Sequence, residues 1–554
     1  MPAWYLLQPS KASSSLEVFS RDLFPQAWAA HARFRHVGLR VQAKAELLVK
    51  VYRHLKGAAP ELILEVPSVQ EEMVFALPPL IECGDRLSYT LYEGKREVPL
   101  RTQDIVVDWV CDRPPERQVS IAVVVCTRDR DTQLQVLVDQ IAPQMEDLES
   151  CIIVNQGKSA LRDRLVLRGD QEKYWIFEQE NLGGAGGFTR GIMEALKDQS
   201  ITHVLLMDDD VEVDVDLFCR LRSALAYFAS PKICLGGVMI DLDHRDRLLS
   251  VGHGFDPIKA MTTDFLPREG VRLGEMEARS FLERPVDVDF CGWWCFCFPR
   301  QAVEVSGLPL PLFLRGDDAE YGLRLKRAGF PTVMWPGIYV AHPHLLNQTR
   351  PWHQYYDRRN ALICAALQCG SLPSPAIIRL VRGVFNAIAL YRYSEARAAI
   401  QALQAYIDGV EGVEHWSEEK HRALVKDDEV MCQSLERGQV SLKVFHTALS
   451  RTLITVLRVL RDILARENAM TTPSVKVDAA SWKVGTRRRP VSVWLFSEGQ
   501  VTQLWRDPIQ ARDIVKSLLR VVFFLVTRPP RKPEALLRLA TPAWWAKRLG
   551  LSIN

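Results

Sequence analysis

The sequence has little net charge, no long apolar run and few cysteines. Its 70 lysine and arginine residues nearly balance 67 aspartate and glutamate residues, which leaves a formal charge of +3. Such a balance lacks the global footprint of a nucleic-acid-binding protein, so any basic patch must be local. The 12 cysteines are scattered along the chain, which favours reduced thiols over a disulfide framework.

Membrane and secretion signals are also missing. No stretch approaches the ~20 apolar residues of a spanning helix, and the most apolar run, residues 521–526, lies between Arg520 and Arg528. The first residues lack the basic and apolar regions of a signal peptide. We therefore expect a cytoplasmic protein, or one that is peripheral on the inner face of the cytoplasmic membrane.

The length requires more than one domain. A chain of 554 residues exceeds the ~250–300 residues at which single cores stop growing. Short alternating segments predict a β-sandwich or barrel module in residues 1–112. Residues 118–362 read as an α/β domain, and residues 363–554 as a helical region with a basic, aromatic tail. Helices are expected at 376–391, 395–410 and 442–466, and a loop at 471–491.

The α/β prediction depends on four continuous apolar segments, residues 120–126, 151–154, 174–177 and 203–207. Strands of this kind that alternate with helices indicate a parallel sheet that is covered on both faces. Polar residues follow three of them, at 127–130, 155–157 and 208–210. Ligands bind beyond the carboxyl ends of such strands, so we expect a site there.

An acidic triplet, Asp208, Asp209 and Asp210, directly follows the fourth strand. Three adjacent carboxylates repel one another, and a divalent cation removes that repulsion. Oxygen ligands suit Mg²⁺ or Mn²⁺, usually shared with substrate phosphates. A solvated acidic loop is the alternative reading.

A glycine-rich segment, residues 180–188, lies upstream of the triplet. It is not a P-loop, because no Gly-Lys-Ser/Thr ends it, and it does not follow the first strand as a dinucleotide fingerprint would. The glycines would let the backbone approach a phosphate or sugar closely. Close packing of a helix on the sheet is the other interpretation.

Further candidate side chains lie in the second half of the α/β domain. Asp317 and Asp318 begin a predicted helix, where one carboxylate would suffice for capping and a second is free to act as a general base. His342 and His344 follow a strand-like segment, and a neutral imidazole there can complete a metal site. Trp293 and Trp294 lie in an aromatic segment, predicted as a strand over 292–298, that either binds sugar or is buried in the sheet.

Together these motifs resemble the family 2, GT-A-fold inverting glycosyltransferases, and within them the polymerising galactofuranosyltransferases of cell-wall galactan synthesis. The resemblance spans residues 118–362, and residues 352–360 carry the last of its motifs. It implies a Rossmann-like mixed sheet, Mn²⁺ or Mg²⁺ as cofactor, a nucleotide-sugar donor and a glycan or glycolipid acceptor. It also implies a homo-oligomer.

The resemblance assigns individual roles. Asp318 is the catalytic base and Asp317 its acidic neighbour. Asp208, Asp210 and His342 hold the metal, with His344 the alternative histidine. The remaining assignments are donor binding by Thr127, Arg128, Gln156, Asn181, Gly184 and Asp209, and acceptor binding by Trp293, Trp294 and His344.

The implied donor is UDP-galactofuranose. Two other hypotheses stay open: the same fold with another donor such as dTDP-rhamnose, and a non-catalytic glycan-binding or scaffold protein. The tail combines basic residues with aromatic ones, which suits an anionic membrane surface, although a helix docked on the body or a subunit contact explains the same pattern. The basic and aromatic residues concerned are Lys516, Arg520, Arg528, Arg531, Lys532, Lys547, Arg548, Phe523, Phe524, Trp544 and Trp545.

Overall fold

A computed structural model describes most of the chain. The described residues are 3–10, 22–94, 96–97, 105–162, 164–344, 352–429, 475–478, 492–497, 500–505, 507–527 and 532–552. The helix predicted at 442–466 lies outside these ranges. So do Arg528 and Arg531 of the tail.

The N-terminal part is a six-stranded antiparallel sheet with one short helix beside it. Its long strand β2 pairs with β3 throughout, with β6 through its first half and with β4 through its second half. Register shifts near the middle of β2 bend the strand, so that its two halves can pair with different strands. The elements are β1 Tyr5–Ser10, α1 Pro25–His31, β2 His36–His54, β3 Glu61–Pro79, β4 Arg86–Glu93, β5 Arg96–Glu97 and β6 Ile105–Cys111.

The central part is an α/β layer structure, as the apolar segments predict. Its first elements are β7 Ile121–Thr127, α2 Asp131–Ile141, β8 Ser150–Asn155, β9 Tyr174–Glu178, α3 Gly183–Ala195, β10 His203–Asp208, β11 Glu212–Val213, α4 Leu217–Tyr227 and β12 Cys234–Asp241. Smaller strands follow: β13 Arg247–Ser250, β14 His253–Asp256, β15 Met261–Asp264 and β16 Val271–Arg272. The last elements are α5 Met276–Leu282, β17 Val286–Val288, β18 Phe296–Pro299, α6 Arg300–Ser306, α7 Asp317–Arg327 and β19 Thr332–His342.

The main path of the central sheet runs β11-β19-β12-β18-β10-β7-β8-β9. Strands β10, β7, β8 and β9 are parallel, whereas β18 lies antiparallel between β10 and β12. The sheet is therefore mixed, as the GT-A resemblance implies. The predicted aromatic strand is shorter than expected. Residues 292–295 form a turn, and β18 begins only at Phe296.

Helices dominate the described residues after the central sheet. They are α8 His353–Cys369, α9 Ser374–Ala389, α10 Tyr393–Asp408, α11 Val410–Glu414, α12 Glu418–Glu429, α13 Pro508–Thr527 and α14 Pro542–Arg548. A small sheet accompanies them, with strands β20 Val475–Asp478, β21 Ser492–Ser497 and β22 Gln500–Trp505. Strand β20 corrects part of the loop predicted at 471–491, because residues 475–478 pair with β21.

Aromatic packing joins the front sheet to the central sheet. Trp28 of α1 contacts Trp335 of β19 with ring centroids 5.0 Å apart, and Phe228 approaches Trp335 to 4.8 Å. Both tryptophans are almost fully buried. One continuous apolar core therefore extends across both sheets, and a second core holds α8, α9, α10 and α13 together.

Candidate active site

The polar residues that follow the parallel strands converge at one edge of the central sheet. Asp208 ends β10 opposite Cys126 of β7, and Thr127 ends β7 opposite Asn155 of β8. The carboxyl ends of parallel strands share an edge, so adjacent strands bring together residues that lie far apart in sequence. His342 reaches the same edge at the end of β19, opposite Asp241.

Asp208, Asp210 and His342 form a compact group of potential ligands. One side-chain atom of each lies within 4.8 Å of the others. Nε2 of His342 is 3.6 Å from Asp208 Oδ2 and 3.3 Å from Asp210 Oδ1. The other ring nitrogen, Nδ1, lies 2.7 Å from the carbonyl oxygen of Pro343 and donates to it. This contact fixes the tautomer, so Nε2 faces the carboxylates as metal-ligating histidines do.

The charge balance of this group fits a divalent cation. Burial disfavours the charged form of His342, but Asp208 and Asp210 outweigh burial and raise the pKa of the imidazole. Two carboxylate oxygens and an imidazole nitrogen are ligands that Mn²⁺ and Mg²⁺ accept.

Asp209 is not a member of this group and makes a second set of contacts. Thr127 Oγ1 donates to Asp209 Oδ2 at 2.7 Å, and Arg130 Nη1 lies 3.2 Å from Asp209 Oδ1. Burial raises the pKa of Asp209 to about 6, against the opposing effects of Arg130 and Thr127. Arg130 also pairs with Asp210. Sequence reasoning placed Arg130 in a motif but gave it no role of its own.

Asp317 and Asp318 begin helix α7 beside the metal-ligand group. Gly316 precedes them at φ +83°, and Arg315 and Phe313 also have positive φ, at +56° and +74°. Burial, reinforced by the neighbouring Asp318, raises the pKa of Asp317 to about 8. Burial also raises the pKa of Asp318, although His253 and Arg315 oppose that shift. Such carboxyls accept a proton more readily than an exposed aspartate.

Helix α8 holds the loop that leads into these acids. Asn360 Nδ2 donates to the carbonyl oxygens of Leu314 and Arg315, at 2.9 Å and 2.6 Å. Arg359 is fully buried and donates to the carbonyl oxygen of Leu312. Residues 352–360 thus have a structural role at the site: their contacts fix the strained backbone that carries the acidic pair.

The glycine-rich segment interlocks with the same loop. Gly183 has φ +72°, and a Cβ there would lie 2.0 Å from the carbonyl oxygen of Phe313. Further along α3, a Cβ on Gly187 would lie 2.1 Å from Cys126 Sγ. The close-packing interpretation is thus correct for these positions. A Cβ on Gly184 would lie 3.3 Å from Asp317 Oδ2, so this glycine borders the acidic pair.

Gln156 and Asn181, which the resemblance assigns to the donor, hold the turn before α3. Gln156 Nε2 donates to the carbonyl oxygen of Gly183 at 2.8 Å, and its Oε1 accepts from the backbone N–H of Leu182 at 2.8 Å. Asn181 Oδ1 accepts from the N–H of Gly183 at 3.0 Å. Both side chains are buried, and these bonds hold the backbone of the turn, while their donor-binding roles stay predictions.

The two tryptophans lie inside the protein, each with 5% of its surface exposed. Trp294 Nε1 donates to the carbonyl oxygen of Gly237 at 2.9 Å, whereas Trp293 Nε1 has no hydrogen-bond partner among the described residues. The burial favours the interpretation of an aromatic segment packed inside the protein, and acceptor binding by these tryptophans stays a prediction. His344 is half-buried two residues beyond His342, and the described residues that form the ligand group do not include it.

A histidine that sequence reasoning missed lies next to Trp294. The ring of His253 makes an edge contact with Trp294 at 5.8 Å, and its Nδ1 lies 2.9 Å from Asp264 Oδ1. His253 also lowers the pKa of Asp318, against the effect of burial. No motif surrounds it in the sequence, because the antiparallel pair β14 and β15 brings His253 and Asp264 together.

A mixed α/β sheet with an acidic triplet, an imidazole and a second acidic pair at its carboxyl edge defines a GT-A-type glycosyltransferase domain. Residues 116–365 match the family described as "Glycosyltransferase like family 2". This part of the chain is therefore a family 2 glycosyltransferase domain.

The chain is similar to curated galactofuranosyltransferases. It is 31% identical to galactofuranosyltransferase GlfT2 of Mycolicibacterium smegmatis over 422 residues, which are 71% of this chain and 64% of that protein. It is 31% identical to GlfT2 of Mycobacterium tuberculosis over 330 residues, 55% of this chain and 51% of that protein. The chain thus spans just under two thirds of the length of the first of these relatives and about half of the length of the second. To galactofuranosyltransferase GlfT1 of M. smegmatis it is 28% identical, over 42% of this chain and 74% of that protein.

Solved structures with some likeness include GalNAc-T7 with UDP, GalNAc and Mn²⁺, at a TM-score of 0.32 and 13% identity over 48% of this chain and 55% of that one. Another is S. aureus TarS 1–349, at a TM-score of 0.32 and 10% identity over 56% of this chain and 87% of that one. At these TM-scores the two likenesses carry no weight for function.

Proposed function

We propose that this chain is a metal-dependent inverting galactofuranosyltransferase. It would transfer galactofuranose from UDP-galactofuranose to a lipid-linked glycan acceptor in cell-surface polysaccharide synthesis. The observation that carries the proposal is the convergence of Asp208, Asp210 and His342 with the pair Asp317 and Asp318 at one sheet edge. The similarity to galactofuranosyltransferases supports the choice of donor.

The chain's own groups suit a single displacement. The acceptor hydroxyl is a poor nucleophile, and Asp318 would take its proton as the oxygen attacks the anomeric carbon. Asp208, Asp210 and His342 would hold Mn²⁺ or Mg²⁺, which when bound neutralises charge on the leaving diphosphate. Attack from the face opposite the diphosphate inverts the anomeric centre, and no nucleophile from the protein is needed.

Asp317 would serve a different purpose from Asp318. It is buried against Gly184 at the start of α7, and Asp318 makes its ionisation still less favourable. With its pKa raised to about 8, Asp317 would hold a proton at neutral pH and add no negative charge beside Asp318, the proposed base.

A donor panel tests this function. Purified full-length chain with Mn²⁺ is incubated with UDP-galactofuranose, UDP-galactopyranose and dTDP-rhamnose, and the released nucleotide is measured by mass spectrometry. We expect release of UDP from UDP-galactofuranose. Release from dTDP-rhamnose alone would favour another sugar on the same fold, and UDP binding without any turnover across donors and acceptors would favour a glycan-binding protein.

We further propose that the chain works at the inner face of a membrane. Among the described residues, no helix is long and apolar enough to cross a bilayer. Helix α13 nevertheless exposes Leu519, Phe523 and Val526, at 64%, 63% and 75%, next to the basic residues Lys516 and Arg520. Exposed apolar groups beside cationic ones favour an anionic lipid surface.

The tryptophans of the tail do not belong to this surface. Trp545 is buried and donates to the carbonyl oxygen of Pro309 at 2.9 Å, and Trp544 donates to Glu414 at 3.1 Å. For this part of the tail, these contacts support the docked-helix alternative. Co-sedimentation with phosphatidylglycerol vesicles should therefore depend on Phe523 and not on Ile378, an equally exposed residue of α9 at 57%.

We also propose three domains, residues 1–112, 118–362 and 363–554, and assembly into a homo-oligomer. The front and central sheets, which lie in residues 5–111 and 121–342, support the first boundary. Their shared core predicts that the two parts unfold together rather than separately. Light scattering of the purified chain measures the oligomeric state.

A further inference from the structure

Helix α12 lies outside the segment that matches family 2, yet it contacts the donor side of the site. Arg128 Nη2 donates to Glu418 Oε1 at 2.7 Å across 290 residues of sequence. The same oxygen accepts from Arg422 at 2.7 Å. Both partners are shielded in part, with 37% of the Arg128 side chain and 26% of the Glu418 side chain exposed.

The carboxylate of Glu418 is shared between the guanidinium groups of Arg128 and Arg422. Asp129 Oδ2 lies 4.0 Å from Arg128 Nε as a longer contact, so two carboxylates and two guanidinium groups balance in formal charge. Glu418 is hydrogen-bonded to one terminal nitrogen of Arg128. The planar fork has a second terminal nitrogen, Nη1, that can donate to an anion. Glu418 therefore orients Arg128 through a single short hydrogen bond.

The segment around α12 also supports the loop that leads to the acidic pair. The hydroxyl of Tyr356 accepts from Trp416 Nε1 at 3.0 Å and lies 3.0 Å from His421 Nδ1. The rings of His421 and Phe313 have centroids 5.2 Å apart. Because Phe313 also accepts from the N–H of Ala185 in α3, this segment is placed against both the donor side and the catalytic loop.

We propose that Glu418 is a positioning residue that orients Arg128 toward the diphosphate of the nucleotide donor. This inference rests on the proposed function. Without Glu418, the long arginine side chain must be ordered by the nucleotide itself, and the entropy lost then opposes binding. When Glu418 already holds Arg128 in place, this side-chain entropy is lost as the protein folds and not when the nucleotide binds.

The test compares UDP affinity in the presence of Mn²⁺ by calorimetry on the full chain. Glu418→Gln is paired with Glu419→Gln, because both glutamates lie in the first turn of α12 and interact with the same helix dipole. Glu419 is exposed. We expect roughly two- to fivefold weaker UDP binding for Glu418→Gln, the range that a partly exposed ion pair supports, and unchanged binding for Glu419→Gln.

Further readouts separate positioning from a structural effect. Glu418→Gln should raise the KM for the donor and leave kcat and the thermal midpoint unchanged. In an Arg128→Ala background, the same substitution should cost nothing more, because its effect passes through Arg128. An equal loss in that background would overturn the inference.

UDP binding by Glu418→Gln that is as tight as in the wild type would also overturn the inference. So would tighter binding, because it would mean that Glu418 competes with the nucleotide for Arg128. A wild-type chain that binds no UDP with Mn²⁺ would overturn the proposed function and this inference with it. Wild-type binding with an unaffected Glu418→Gln variant overturns the inference alone.

Discussion

The carboxyl of Asp317 should lower the free energy of unfolding of the metal-free protein at neutral pH. Replacing this carboxyl should therefore raise that free energy. Burial and the neighbouring Asp318 raise the pKa of Asp317 from 3.8 to about 8. A carboxyl whose pKa is higher in the folded state binds its proton more tightly there than in the unfolded chain. Stability therefore falls as the pH rises from 3.8 to about 8, and the full penalty remains above that range.

Substitution by asparagine removes the titration and keeps the size of the side chain. The gain in unfolding free energy for Asp317→Asn should grow by about 1.4 kcal/mol per pH unit within this window. Between pH 5 and pH 7 the gain should rise from roughly 2 to roughly 4 kcal/mol. For a cooperative unit of about 340 residues, that corresponds to a relative increase in Tm of roughly 2 °C per pH unit.

The assay is thermal unfolding of both proteins at pH 5, 6 and 7 in EDTA, so that no metal offsets the acidic charge. Asp256→Asn is the matched control. Hydrogen bonds from Lys259 lower the pKa of Asp256, so that carboxylate contributes stability at neutral pH and its loss should bring no gain. A difference in Tm between Asp317→Asn and the wild type that stays constant or shrinks as the pH rises would refute the reasoning.

Two further predictions follow from the site and its packing. Asp210→Asn removes one ligand of the Asp208–Asp210–His342 group and should weaken Mn²⁺ binding roughly tenfold or more, measured as free Mn²⁺ by electron paramagnetic resonance. The exposed Asp243→Asn serves as control, and equal affinities would remove Asp210 as a ligand. Gly187→Ala places a Cβ 2.1 Å from Cys126 Sγ and should destabilise the protein by about 1–3 kcal/mol. Gly274→Ala meets nothing within 4 Å and should leave Tm unchanged; equal Tm values for both variants would contradict the packing argument.

The architecture of the central sheet could be predicted because its signals are local. Continuous apolar strands and polar residues at their ends indicate both the layer type and the edge at which polar residues meet, and Thr127 indeed bonds to Asp209 of the acidic triplet there. The antiparallel direction of β18 could not be predicted from residues 292–298, because a buried strand has the same apolar pattern in either direction.

Contacts between distant elements were the part that the sequence did not reveal. His253 meets Asp264 through a short hairpin, and Arg128 meets Glu418 across 290 residues. Gln156 and Asn181 are bonded to the backbone of the turn before α3, a structural role that their motifs did not indicate beside the predicted donor contact. A motif shows which residues occur together, whereas hydrogen-bond partners depend on tertiary packing.

The most direct test of the central claim is transfer from UDP-galactofuranose to a lipid-linked galactan acceptor with Mn²⁺, followed by mass spectrometry of the product. The wild type should add galactofuranose, and Asp318→Asn should keep UDP binding but lose transfer by about 10²–10⁴-fold. The exposed Asp243→Asn should transfer like the wild type. Unchanged turnover in Asp318→Asn would contradict Asp318 as the base, and a wild type that transfers no galactofuranose would contradict the account as a whole.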